Sequence, residues 1–281
     1  MDAGDRRGLD EARRLLGSGK LREAFSRLLH LTEKYPEDVQ VREGMALALV
    51  MQGATHAEAG EYDRATTEFE RSIRYNDTPE AHVNLGRIHR MLGELEDAFA
   101  EFTRALDLNE DLPIVHESLG QYFLDVKDFD QAANAFGRAI AKGGASRSVY
   151  SGIWEAYMGL GRTEQAHDAI MEAAARWPED DGMLGMAALS WAVAKNDHEK
   201  AAEYWKRAVA KNPKNLSALF NLAGLAAVRS DRAEALEYIK KCCAIDREQT
   251  LEMWKEDARQ PKRKFGSFAG DEDFLDVLGL L

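Results

Sequence analysis

The stretch "NLGRIHRMLGELEDAFAEFTRAL", residues 84–106, holds two helical runs separated by one glycine, Gly93. After that glycine, Ala98, Phe102 and Ala105 follow at steps of four and three, which places them on one face of a helix. Leu85, Gly86 and His89 obey the same rule on the run before it. Gly93 suits the left-handed residue that ends one helix and lets the chain reverse. The stretch therefore reads as a helical hairpin. One hairpin cannot bury that much apolar face alone, so its partners must be sought along the chain.

The pattern recurs. With Ala98 as marker, the series is Ala24, Ala65, Ala98, Ala132, Ala166, Ala201 and Ala235, the last six spaced by 33, 34, 34, 35 and 34 residues. Four residues after each marker stands a large apolar residue: Leu28, Phe69, Phe102, Phe136, Ile170, Trp205 and Ile239. Three further on the residue is mostly small, from Ala105 to Cys242, with Ser72 and Leu31 looser. Five before each marker lie Gly19, Gly60, Gly93, Lys127, Gly161, Asn196 and Ser230, mostly types that tolerate a turn. Pro36, Pro178 and Pro213 fall twelve after their markers, where a second helix must stop. This period resembles the tetratricopeptide repeat, a helix–turn–helix unit of about 34 residues. The resemblance spans roughly residues 8–248 and implies an all-α, right-handed superhelical solenoid of seven hairpins, at about 8–36, 39–77, 78–111, 112–144, 146–178, 181–213 and 215–247.

The gap of 41 residues between Ala24 and Ala65 exceeds the period by seven. Pro36 keeps its place, so the extra residues should lengthen the next helix, "VQVREGMALALVMQGATHAEAG" (39–60), by close to two turns. Thr78 and Pro79 suit the cap and first position of the helix that follows. The fourth hairpin ends in "AKGGASRS" instead of a proline, and its neighbour puts Trp154 where Gly53, Gly86 and Gly120 stand. These features suggest a hinge near Gly143–Ser146, dividing the array into 1–144 and 145–248. Residues 249–281 would form a capping helix and tail, crossing a basic stretch (Lys262, Arg263, Lys264) before Phe274, Leu275 and Leu278 line one face of a short helix. The apolar tail from Phe265 onward should dock, either on the open end of the last hairpin as a cap or in the groove around Met186 and Phe220 as a competitor for a partner.

The apolar fraction of 45% with 31% charged residues supports a continuous packed seam. The longest apolar run, "MALALVM" at 45–51, is too short to span a bilayer, and "MDAGDRRGLDEARR" has no apolar core for a secretory signal. A cytoplasmic location is the expectation. Cys242 and Cys243 are adjacent, which favours buried thiols over a disulfide framework. Net charge is −12, and between Glu94 and Asp130 eleven acidic residues face only Arg104 and Lys127. Such a field disfavours nucleic acid and anionic lipid and favours a basic protein partner, although a solvated helix face would look the same. Glu101, inside that window, is expected to stand in solvent.

Catalytic signatures are wanting. "GSGK" at 17–20 fails as a phosphate loop, because Arg14 replaces its first glycine and Leu21 its hydroxyl residue. No G-x-S-x-G, H-E-x-x-H or C-x-x-C occurs. The chain is therefore expected to be no enzyme and to carry no cofactor. One metal alternative is a layer of His82, His89 and His116, brought together by repeat stacking. Function in the resembled family resides in the groove lined by the first helices. Asn84 and Asn221 match the asparagine of its carboxylate clamp, but Ile114, Ser118 and Leu251 stand where basic partners are required, leaving only Lys255. A heat-shock-protein tail is thus not implied. The groove would present Arg87, Arg90, Glu117, Gln121 and Asp125 in its polar half, and Met183, Met186, Val193, Phe220 and Val228 in its apolar half. The expectation is a scaffold that binds a segment of another protein, with chaperone-like shielding of an apolar client as the alternative and self-association left open.

Overall fold

A computed structural model of the chain describes residues 1–260 and 263–280; Lys262, named above, lies outside the described residues. The described chain is all-α and divides into two compact units, residues 1–152 and 153–281.

The first unit holds the hairpins α1 (Ala3–Gly17) with α2 (Leu21–Lys34), α3 (Val39–Glu58) with α4 (Tyr62–Tyr75), α5 (Pro79–Leu92) with α6 (Leu95–Leu108), and α7 (Pro113–Asp125) with α8 (Phe129–Ala141). It also holds the first part of α9 (Arg147–Gly159). The second unit holds the rest of α9, α10 (Thr163–Arg176), α11 (Asp181–Ala194) with α12 (His198–Lys211), and α13 (Leu216–Val228) with α14 (Arg232–Ile245). These are followed by α15 (Arg247–Arg259), a short 3₁₀ turn (Gly266–Phe268) and α16 (Glu272–Leu278). No described helix is long and apolar enough to cross a membrane.

The repeat positions explain the packing. All seven marker alanines are fully buried, and so are the large residues four after each of them. In the first unit, close contact depends on a missing side chain: a β-carbon on Gly86 would stand 2.7 Å from the Phe102 ring and 3.1 Å from the Ala98 carbonyl oxygen. Gly53 faces Phe69 and Gly120 faces Phe136 in the same way. Where Trp154 replaces the glycine, Ile170 replaces the phenylalanine, so the bulk is exchanged between the two positions. Gly152 then supplies a second close approach to Phe136, 2.3 Å from its ring for an added β-carbon.

The turns follow the sequence expectation at every repeat. Gly19, Gly60, Gly93, Lys127, Gly161, Asn196 and Ser230 all have positive φ, between 50° and 82°. Thr78 caps α5 by accepting from the Ala81 amide, with Pro79 at the first position. The surplus residues do lengthen α3, which runs for 20 residues where its counterparts have 13 to 15. The extension is put to use: Arg42 donates from Nε to the Tyr75 carbonyl (2.9 Å) and from Nη2 to the Arg74 carbonyl (3.1 Å), the last turn of α4. A cation at that helix end also complements the dipole. The first hairpin starts earlier than expected, at Ala3, because the Asp2 carboxylate caps α1 through the Gly4 and Asp5 amides.

The turn at Gly143–Ser146 is a packed one. Gly143 has φ 89°, the Gly144 amide binds the Ala139 carbonyl at 2.8 Å, and a β-carbon on Gly144 would stand 2.3 Å from Pro113 Cβ. The division between the two compact units falls later, within α9.

Candidate functional site

The first helix of each hairpin carries the positions from which a groove would be read. On α5, Arg87 is exposed, while Arg90 forms an ion pair with Asp125 of α7 at 2.7 Å. On α7, Gln121 stands half-buried at the repeat position of Arg87, and Glu117 accepts a hydrogen bond from the Ser148 hydroxyl. The structure thus joins Arg90 to Asp125 across neighbouring hairpins, with Arg87 and Gln121 at equivalent positions of the repeat.

The apolar half divides differently. Val193 and Val228 are open to solvent at 52% and 62% exposure, and Met186 is half-buried. Met183 is 5% exposed and Phe220 only 4%, so these two residues are core and present no free surface. Phe220 is covered by Phe265, whose ring centroid lies 5.3 Å away. Met183 lies in the first turn of α11, where its amide binds the Asp180 cap.

The histidine layer does not form. His82 is buried and spends both ring nitrogens on carboxylates, Nδ1 on Glu101 (2.5 Å) and Nε2 on Asp77 (2.6 Å). Burial works to lower its pKa, but the two carboxylates outweigh it and hold the pKa above the usual value. Asp77 in turn accepts from Arg104 at 2.5 Å, and although desolvation works to raise its pKa, Arg104 and His82 pull it below the usual range. Glu101, expected in solvent, is therefore a partner of the buried His82 ring. His116 binds the Glu110 carbonyl (2.7 Å) and His89 binds Glu94 (2.6 Å). Each ring is committed to a separate set of partners, so the three share no ligand set. Among the described residues, His89, Glu94 and Asp97 do cluster, but on an open surface.

Cys242 is buried and its thiol is pushed up to about 12 by desolvation, with the adjacent Cys243 adding to the rise; neither cysteine is in a disulfide. An unreactive packing thiol is the consequence. Two features escaped the sequence reading. Phe99, Tyr122 and Phe123 stack into an aromatic group with centroids 5.1–6.2 Å apart and Phe99 exposed, for which the adjacent Tyr122–Phe123 pair was the available signal. The second is the part Lys264 plays in holding the docked segment, through its ammonium on Asn221 and its amide on Asp257.

A family model, tetratricopeptide repeat, matches residues 51–113, 118–162 and 186–249, more than half of the chain. The chain belongs to the tetratricopeptide repeat family. Among curated relatives, human tetratricopeptide repeat protein 6 is 22% identical over 126 residues, 45% of this chain; the aligned part spans only 23% of that relative's length. Among solved structures, Pseudomonas aeruginosa PilF superposes with a TM-score of 0.66 at 15% identity, covering 81% of this chain and 97% of that one. YrrB, described as a tetratricopeptide repeat protein with an unusual peptide-binding site, gives 0.52 at 19% identity, covering 66% and 97%. At these identities the structural likeness carries the tetratricopeptide fold alone.

Proposed function

We propose that this tetratricopeptide repeat chain is a non-enzymatic adaptor that holds a segment of another protein along the first-helix faces of its hairpins. Family membership supports protein partners in general. The observation that carries the reading is the polar strip of α5 and α7: exposed Arg87 and half-buried Gln121 at equivalent repeat positions, with the Arg90–Asp125 ion pair joining the two helices. Those side chains take no part in the hydrophobic clusters of their hairpins, and Arg and Gln offer donors suited to the carbonyls of a bound main chain. The peptide site named for YrrB makes such a groove a reasonable analogy. The acidic window 94–130 would favour a basic partner, although Glu94, Glu101, Asp111 and Asp125 are already paired within the fold. The net charge of −12 opposes nucleic acid, and a cytoplasmic setting accords with the paired free thiols.

Panning a randomised peptide library against the full chain and against Arg87→Glu tests this. Peptides enriched on the native chain and weakened at least tenfold by the substitution are expected; no enrichment, or equal enrichment on both, would overturn the reading. Exposed Val193 and Val228 favour a second reading, shielding of an apolar client. In that case the chain should suppress aggregation of an unfolded client, and a Val193→Asp/Val228→Asp double variant should not.

A further inference from the structure

Phe220, Asn221 and Gly224 lie on α13 at the repeat positions that Val83, Asn84 and Arg87 hold on α5. Here that face is filled by two consecutive residues of the chain itself. The Phe265 ring sits between Phe220 (5.3 Å) and Trp254 of α15 (4.7 Å). The Lys264 stem crosses Gly224, where a β-carbon would come within 2.6 Å of Lys264 Cδ, and its ammonium donates to Asn221 Oδ1 at 2.9 Å. Asp257, 8% exposed, uses both carboxylate oxygens on consecutive main-chain amides: Oδ1 accepts from Lys264 and Oδ2 from Phe265, each at 3.1 Å. Backbone, aromatic ring and basic side chain are each met by a separate device.

This is more than closing the end of the array requires. α16 is already anchored by buried Phe274 and Leu278, by Arg232 bridging Asp271 and Asp273 (2.7 and 2.5 Å), and by Arg247 on the Asp276 carbonyl (2.9 Å). Lys264, by contrast, is held at a cost: desolvation lowers its pKa against the pull of Asp257, and Asn221 offers it only a neutral acceptor. Beside it opens a cavity of about 770 Å³ whose lining includes Phe220 and Met253 with the exposed Glu252 and Glu256, which also pair with Lys255 and Arg259 (2.7 and 4.0 Å). That lining suits basic residues flanking a basic–aromatic pair.

We infer that the face of α13 and α15 is a peptide site for a partner segment carrying a basic residue followed by an aromatic one, and that Lys264–Phe265 occupies it in cis. The site is separate from the α5–α7 strip. A tethered occupant acts at an effective concentration on the order of millimolar, so a free peptide competes poorly until the cis pair is weakened.

The probe is a labelled synthetic peptide with the sequence of residues 263–270, titrated onto the full-length chain, native and Phe265→Ala. The peptide should bind Phe265→Ala at least tenfold tighter than native and raise its melting temperature. A control peptide with alanine for both Lys264 and Phe265 should do neither, and Arg87→Glu should leave the binding unchanged. If Phe265→Ala does not fold, Phe265→Leu takes its place with the same readouts. Absence of binding to the folded variant, equal binding of the control peptide, or equal affinity for native chain and variant would each overturn the site. Failure of both variants to fold would also overturn it, because Phe265 would then be a fixed part of the core.

Discussion

Three of the seven turn residues hold a left-handed backbone without being glycine: Lys127 (φ 59°), Asn196 (φ 50°) and Ser230 (φ 61°). A lysine there costs about 1–2 kcal/mol, whereas asparagine tolerates it. Lys127→Gly should therefore stabilise the chain by about 0.5–1 kcal/mol after the added freedom of the unfolded glycine is offset, while Asn196→Gly should change little. Urea denaturation of the two variants measures both; equal shifts would contradict the strain argument. Glycines inside helices behave oppositely according to what they face. Gly120→Ala drives a methyl to within 2.7 Å of the Phe136 ring and should destabilise by about 1–3 kcal/mol. Gly137→Ala, in the middle of α8 with nothing within 4 Å, should stabilise by up to about 1 kcal/mol. A common sign for these two substitutions would mean that the close helix approach is misplaced.

Between elements, the His82 network ties α5 to α6 and makes their docking depend on pH. The folded chain holds the His82 proton more tightly than the unfolded chain, whose histidine titrates near 6.5. The stabilisation is thus complete below about pH 6.5 and is lost as pH rises through the higher folded value. Asp77 acts at the other end: its lowered pKa gives stability present above 3.8 that disappears as pH falls through the folded value. His82→Gln should flatten the neutral-to-alkaline decline in denaturation midpoint and leave the native chain with the steeper slope. Identical slopes would show that the network carries no proton linkage. Much at this scale was legible in the sequence. The marker alanines, their large partners and the turn residues repeat often enough for spacing alone to place the hairpins. The pairing of Glu101 with His82 was not legible, because nineteen residues separate them and only the hairpin geometry brings them together. Phe220 was expected on an open groove face from its repeat position, but it is 4% exposed under Phe265; which part of the tail would cover it depends on a non-repeating segment with no period to read.

At the scale of the whole molecule, stability within each compact unit should be distributed as a sum over neighbouring hairpins, since there the hairpins pack mainly against the next in sequence. The α16 segment should then matter locally but strongly. Truncation at Gly270 removes Phe274 and Leu278 from Trp254, Ile239 and their neighbours, and should cost about 3–6 kcal/mol at the usual worth of two buried side chains. A lowered denaturation midpoint with increased light scattering is the expected readout; an unchanged midpoint would show the segment to be dispensable. The longer α3 bears on a different property, how the chain could change length. Each residue advances a helix by about 100°, so seven residues return to within about 20° of the starting direction. Excising seven residues near the start of α3 would keep the apolar phase of the remainder, losing buried Val41 and Met45 together with the Arg42 contacts to Arg74 and Tyr75. Excising five from its middle would rotate Val41 and Met45 by about 140° away from the Leu9 and Leu28 they now pack with. Insertions and deletions at this junction are therefore filtered by angle, not by size.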